Sequence, residues 1–216
     1  MVVTQLDNES DTYRRLRAEL NVAELALRDQ RERVAALRRS LPADTVVADQ
    51  VFVERRDGVV QDVALSALFE APDQPLVLMH FMFGQHASLC PMCAMWADGY
   101  NAIAHHLNAR LNFVVLIAGD PEHFAEIAAA RGWDRLRIVS TGHATLKRDL
   151  GFETQDGSQG PGVTVLSRTR GGDLIHHYSQ NAMMADGEFR GMDLLSPVWH
   201  FLDLTPDGRG DWMPVA

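Results

Sequence analysis

The chain has 216 residues, of which 46% are hydrophobic and 23% charged, and a formal net charge of −9. This composition is ordinary for a globular protein with one sizeable core, and the length suffices to fold without disulfide staples. Residues 1–41 hold eight Arg against seven acids, leaving −10 on the remainder. That argues against a general binder of nucleic acid or of anionic membranes.

The opening MVVTQLDNES lacks a basic segment followed by an apolar one, so no secretory signal is expected. No apolar run approaches the ~18 residues of a membrane span. The expected location is the cytoplasm, where a structural disulfide is disfavoured and a working dithiol is not.

Residues 11–41 read as one long helix. Tyr13, Leu16, Leu20, Ala23, Leu27, Val34, Leu37 and Leu41 step by threes and fours, interrupted only at Gln30, which makes an a/d seam over about four heptads. Ser10 suits the N-cap, Asp11 the positive end of the dipole and Arg38 and Arg39 the negative end; Pro42 stops the helix. This helix either lies on the surface of its own domain or makes a coiled-coil-like homodimer contact. The expected division is an N-terminal amphipathic helix over 1–42 and a single globular domain over 43–216.

Residues 49–65, DQVFVERRDGVVQDVAL, predict a β-hairpin turning at Asp57-Gly58. SALFEAPDQP (66–75) is a short helical turn and loop. LVLMHFMF (76–83) is almost continuously apolar, as in a strand covered on both faces. A helix follows from Pro91 to about Arg110, then a second buried strand, NFVVLIAG (112–119). Asp120-Pro121-Glu122 opens a helix that runs to about Arg131. RLRIVS (135–140) is a strand and HATLKRDLGF (143–152) a short helix closed at Gly151. A second hairpin, VTVLSRT and DLIHHYS, turns at Arg170-Gly171-Gly172, and a last helix covers about Met192–Leu204. The strand–helix–strand alternation implies a mainly parallel sheet with helices on both sides, with the closing hairpin adding antiparallel strands at one edge.

The chain's two cysteines, Cys90 and Cys93, both fall in HASLCPMCAMWADGY (86–100). Thiol–disulfide exchange needs a thiolate that attacks and a second thiol that releases the mixed disulfide. Cys90 at the N-cap, with Pro91 at N1, would face the free N–H groups of Met92 and Cys93, which favour the thiolate. Cys93 shares a helical face with Trp96, Ala97, Tyr100, Ala104 and Leu107 and so reads as buried and resolving. Two other readings use the same pair. One is inert small hydrophobes. The other is a metal- or redox-sensing protein that draws on His86, Cys90, Cys93 and a remote ligand, although no second CxxC or HxxxH completes a zinc site. His105, His106, His123, His143, His176, His177 and His200 are scattered and read as surface or satisfied core residues.

HFMFG (80–84), CPMCAMWAD (90–98), HLNAR (106–110), HHYS (176–179) and HFLDLTPDGRGD (200–211) resemble a bacterial thioredoxin-like family of unknown function whose members are described as predicted dithiol–disulfide oxidoreductases. The resemblance runs from the arginine-rich helix to near the C-terminus. It implies an α/β, thioredoxin-like fold of the peroxiredoxin-like branch, a mixed sheet flanked by helices with an added N-terminal helix and hairpin. The strand at 135–140 is what makes it similar to that branch.

The implied activity is thiol–disulfide exchange with protein or small-molecule thiols and disulfides, with thioredoxin or glutathione as electron donor and no cofactor, metal, nucleic acid or membrane. Pro91, Met92, Trp96, Pro161, Val163 and Thr164 are the implied substrate-side residues. Trp96 equally reads as a plain core aromatic and Pro161 as turn chemistry. Proline first between the cysteines is similar to glutaredoxins and periplasmic oxidants, at roughly −230 to −120 mV. His80 stands where thioredoxins carry a buried proton-relay acid, and also reads as a core histidine satisfied by a backbone carbonyl. Pro161 is the nearest counterpart of their cis-proline, with Val163 or Thr164 beside it. GQHASLC lacks the Pro-x-x-x-Thr-x-x-Cys spacing of peroxiredoxins. A non-catalytic interaction module working through the N-terminal helix is the third reading.

Overall fold

Ser10 opens helix α1 (Asp11–Arg39) in a computed structural model that describes residues 6–84 and 88–215. The Ser10 hydroxyl accepts the Tyr13 N–H at 3.1 Å, and Arg14–Asp11 and Arg15–Glu19 pairs lace the surface one turn apart. The chain forms two compact units, Met1–Pro42 and Ala43–Ala216. In the first, Leu16, Leu20, Leu27 and Leu37 are exposed; a single helix cannot bury its own seam.

The second unit is built on one sheet of eight strands: β1 (Thr45–Val47), β2 (Val51–Arg56), β3 (Val59–Ala64), β4 (Leu76–His80), β5 (Asn112–Ile117), β6 (Arg137–Ser140), β7 (Gly162–Arg168) and β8 (Leu174–Asn181). Their order is β1-β8-β7-β4-β5-β6-β2-β3. Helices α2 (Pro91–Asn108) and α3 (Pro121–Arg131) cross over between β4, β5 and β6, and α4 (Leu146–Asp149) and α5 (Pro197–Leu202) are short.

The sheet is mixed rather than mainly parallel. Among the described residues only β4–β5 and β5–β6 run parallel, because those two connections are helical crossovers. The hairpins β2–β3 and β7–β8 supply both flanks, antiparallel. The closing hairpin is not at an edge, since the three-residue β1 pairs outside β8.

Two other elements are shorter than their sequence patterns. Strand pairing of 76–83 ends at His80, after which Phe81 donates to Leu116 O and Phe83 turns back on Phe81 O. The helix expected over 192–204 divides into a 3-10 turn, Asp193–Leu195, and α5, because Ser196 precedes Pro197 and is held extended at φ −123°, ψ 118°.

Alternation along β4 and β5 sorts the core onto two faces. Met79, Phe81, Phe113, Val115 and Ile117 pack with Cys93, Trp96 and Phe124 of α2 and α3. Leu76, Leu78, Val114 and Leu116 pack with Phe52, Leu146 and Leu166 on the other side. The first turn of α2 lies beyond the carboxyl end of β4, where open α/β sheets place their sites.

Candidate functional site

Cys90 has extended backbone (φ −69°, ψ 116°) and caps α2, its Sγ accepting the Cys93 N–H at 3.4 Å. Pro91 at N1 loses nothing by lacking an N–H and fixes the entry of the chain. Both cysteines are free thiols; Cys90 is half-buried and Cys93 fully buried.

The Cys90 thiol is pulled down to about 6, first by a hydrogen bond from the Cys93 thiol, against the opposing effect of burial, and further by the Cys93 and Met92 N–H groups. The pair thus splits into one thiol ionised at neutral pH and one neutral. Cys93 is pushed strongly up by the same hydrogen bond, by burial and by the Cys90 charge; the Met82 N–H and Lys147 pull it the other way.

Cys90 sits between two clefts. One, of about 680 Å³, is apolar; Met82, Pro91, Met92, Pro161, Phe189, Trp199 and Trp212 line it with Cys90. The other, of about 1080 Å³, is more polar and is lined by His143, Arg148, Glu153 and Gln159 among others. Sequence reasoning missed the aromatic wall of residues 189–213. No local pattern marks it, because Phe189, Trp199 and Trp212 lie about 100 residues or more from the cysteines. Arg209 secures that wall, pairing with Asp203 at 2.8 Å and Asp193 at 3.0 Å while its guanidinium lies 5.6 Å from the Trp199 ring centre.

The residues singled out from the sequence separate into three places. Pro91, Met92 and Pro161 gather with Cys90 on the apolar cleft. The Pro161 peptide is not cis, nor is any other among the described residues. Trp96 and Val163 lie in the core cluster with Cys93, with Trp96 edge-on to Trp199 at 6.1 Å. Trp96 therefore backs the cleft without lining it. His80 and Thr164 lie on the other side of the sheet, one residue out of phase with Met79 and Phe81.

His80 stacks on Phe152 at 3.8 Å, and its Nε2 bonds the Thr164 hydroxyl at 2.8 Å rather than a backbone carbonyl. Burial, then the Lys147 charge, hold His80 well below its ordinary pKa, so it is neutral. From Thr164 the hydrogen bonds continue to Ser179 and His176, away from the cysteines.

His86 lies outside the described residues, and among those residues no cluster of three or more His, Cys, Asp or Glu is placed to hold a metal. Among them, too, no helix is long and apolar enough to cross a membrane.

The architecture is similar to that of oxidized Prx3 from Vibrio vulnificus, with a TM-score of 0.51 and 14% identity over 72% of this chain and 98% of that one. Weaker likenesses include AhpC of Enterococcus faecalis (TM-score 0.48, 13% identity, 69% and 86% covered). Another is peroxidoxin BcpB of Mycobacterium tuberculosis (TM-score 0.47, 19% identity, 72% and 93% covered). At such identities the likeness to Prx3 establishes the fold, thioredoxin-like of the peroxiredoxin branch, and not the reaction. No curated protein matches the chain by sequence. Residues 3–215 match the family described as bacterial protein of unknown function (DUF899), and the chain belongs to that family.

Proposed function

We propose that the chain is a thiol–disulfide oxidoreductase in which Cys90 attacks and Cys93 resolves. The observation that carries the reading is the asymmetry of the pair: a half-exposed Cys90 sulfur held as an anion, hydrogen-bonded by the buried Cys93 thiol.

In the reducing direction the Cys90 thiolate attacks a substrate disulfide, forming the mixed disulfide and expelling one substrate sulfur. Cys93 then attacks the Cys90 sulfur, closing Cys90–Cys93 and releasing the second substrate thiolate. Two electrons pass to the substrate, and a thioredoxin or glutathione returns them. The aromatic cleft suits an apolar group flanking the substrate sulfur. The reading belongs to a reducing compartment such as the cytoplasm.

Alkylation of the reduced protein by iodoacetamide is expected to modify Cys90 first, with a rate that rises through a midpoint near pH 6. Equilibration with glutathione is expected to place the pair above the roughly −270 mV of thioredoxin. A Cys93→Ser variant should accumulate mixed disulfides. Preferential modification of Cys93, or a midpoint in the ordinary thiol range, would sink the assignment of roles.

A further inference from the structure

The chain carries nineteen Arg and a single Lys, Lys147, and that one lysine is completely buried. A buried ammonium is costly, and an apolar residue of similar volume commonly serves a core better. Its presence here calls for a reason other than packing.

The geometry supplies one. Nζ of Lys147 donates to the Phe81 carbonyl at 2.9 Å. The N–H of the same peptide group belongs to Met82, which packs against the cluster that holds Cys93, and draws that thiol toward its thiolate. The ammonium and the sulfur thus sit at the two ends of one peptide unit. A cation on the carbonyl oxygen polarises that unit and strengthens its N–H as a donor. Phe81 and Met82 lie just past the pairing of β4, where the strand leaves its regular ladder, and the Phe81 carbonyl accepts the Phe83 N–H at 3.0 Å as well as the ammonium.

We propose that Lys147 is a positioning residue for the resolving step: acting through the Phe81–Met82 peptide, its charge favours the Cys93 thiolate at the moment that sulfur must attack. The inference rests on the exchange reaction proposed above and deepens it. Once Cys90 is bonded to substrate, Cys93 has lost the anion that held its proton. It must then ionise in a dry interior, and Lys147 offsets the charge that appears. A new Cys90–Cys93 bond forms, the bond from Cys90 to the substrate sulfur breaks, and the substrate thiolate leaves with the electron pair. The proton given up by Cys93 is matched by the one the departing thiolate takes up.

The groups facing Lys147 are few. Glu153 is the nearby carboxylate and is itself paired with Arg148 at 3.3 Å; His80 is neutral. Tyr100 shares the Cys93 side, with its own ionisation pushed up by burial and by Cys93. Burial lowers Lys147 to about 8, against the pull of Cys93 and Glu153, so it is charged at neutral pH and its help fades above about pH 8.

Two measurements on the full chain test this, with Lys147→Met removing the charge and Lys147→Gln keeping a neutral donor for Phe81. In the first, reduced protein reacts with 5,5′-dithiobis(2-nitrobenzoate). Cys90 releases one nitrothiobenzoate as it attacks, and Cys93 releases the second as it resolves. Both variants are expected to keep the first phase within about twofold and to slow the second about tenfold, the weight of one pKa unit. In the second, Cys93 is titrated alone in a Cys90→Ala background by thiolate absorbance, and both variants are expected to raise its midpoint by about one unit.

Equal second phases and equal midpoints in all three proteins would overturn the proposal. So would full rescue by glutamine, which would leave Lys147 a structural hydrogen-bond donor. The titration needs no turnover. An altered Cys93 midpoint in a protein without a second phase would therefore count against the exchange reaction and not against the coupling.

Discussion

At the scale of single residues, the division of labour between two identical side chains comes from their surroundings. Cys90 receives hydrogen bonds and Cys93 gives one, so the first is drawn to about 6 and the second pushed well up. Removing the donor should show this. Cys93→Ala is expected to raise the Cys90 alkylation midpoint by roughly one to two units, slowing the reaction at pH 6 to 7. Cys93→Ser, which keeps a hydroxyl donor, should move it less.

Lys147 offers a second measurement at this scale. Its folded pKa of about 8 lies below the lysine value of 10.5, so in the linkage relation the unfolded chain binds more protons between the two. The buried charge therefore destabilises the fold fully below about pH 8, and the penalty fades as the pH rises toward the ordinary value. Lys147→Met is expected to be at least as stable as the parent at pH 7, with its advantage shrinking by pH 10, as read by urea unfolding at the two pH values.

At the scale of elements, the site depends on where strands stop and how closely they approach. Gly162 opens β7 opposite His80, and a Cβ there would stand 2.3 Å from the Gln180 carbonyl and 2.4 Å from the Phe152 ring. Only glycine lets β7, β8 and the ring that stacks on His80 meet. Gly162→Ala is expected to cost about 1–3 kcal/mol in urea unfolding while leaving the Cys90 alkylation midpoint unmoved, since Cys90 is held by α2 instead. The same alternation that sets Met79 and Phe81 toward Cys93 sets His80 away from it. A histidine adjacent in sequence to the right strand position is thereby excluded from direct contact with the thiols, and the carbonyl of the next residue, Phe81, becomes the link to Lys147.

At the scale of the whole molecule, both buried clusters draw their residues from positions 52 onward. Residues 43–216 are therefore expected to unfold in a single cooperative transition after removal of 1–42, with an unchanged Cys90 midpoint, as checked by urea titration and alkylation. The exposed seam of α1 suits pairing with a second copy of itself. If it does so, cross-linked dimers of the full chain should disappear in the shortened one; persistence of the dimer would remove α1 from consideration as the contact.

Much was legible in the sequence where the relevant physics is local. Ser10, Pro91 and the Asp120-Pro121-Glu122 start marked helix openings because capping acts within one turn. The apolar runs at 76–83 and 112–119 marked the central strands because burial on both faces leaves few polar positions. The placement of Cys90 beside free amides followed from the same short-range rules.

What only the tertiary structure decided is everything that depends on partners distant along the chain. These are the antiparallel flanks that make the sheet mixed, the face on which His80 lies, the wall that Phe189, Trp199 and Trp212 raise beside Cys90, and the burial of the one lysine behind Cys93. Spacing along a chain fixes which way a side chain points within its own element. What it points at depends on the packing of all the elements together, because burial and long-range hydrogen bonds are properties of the assembled core.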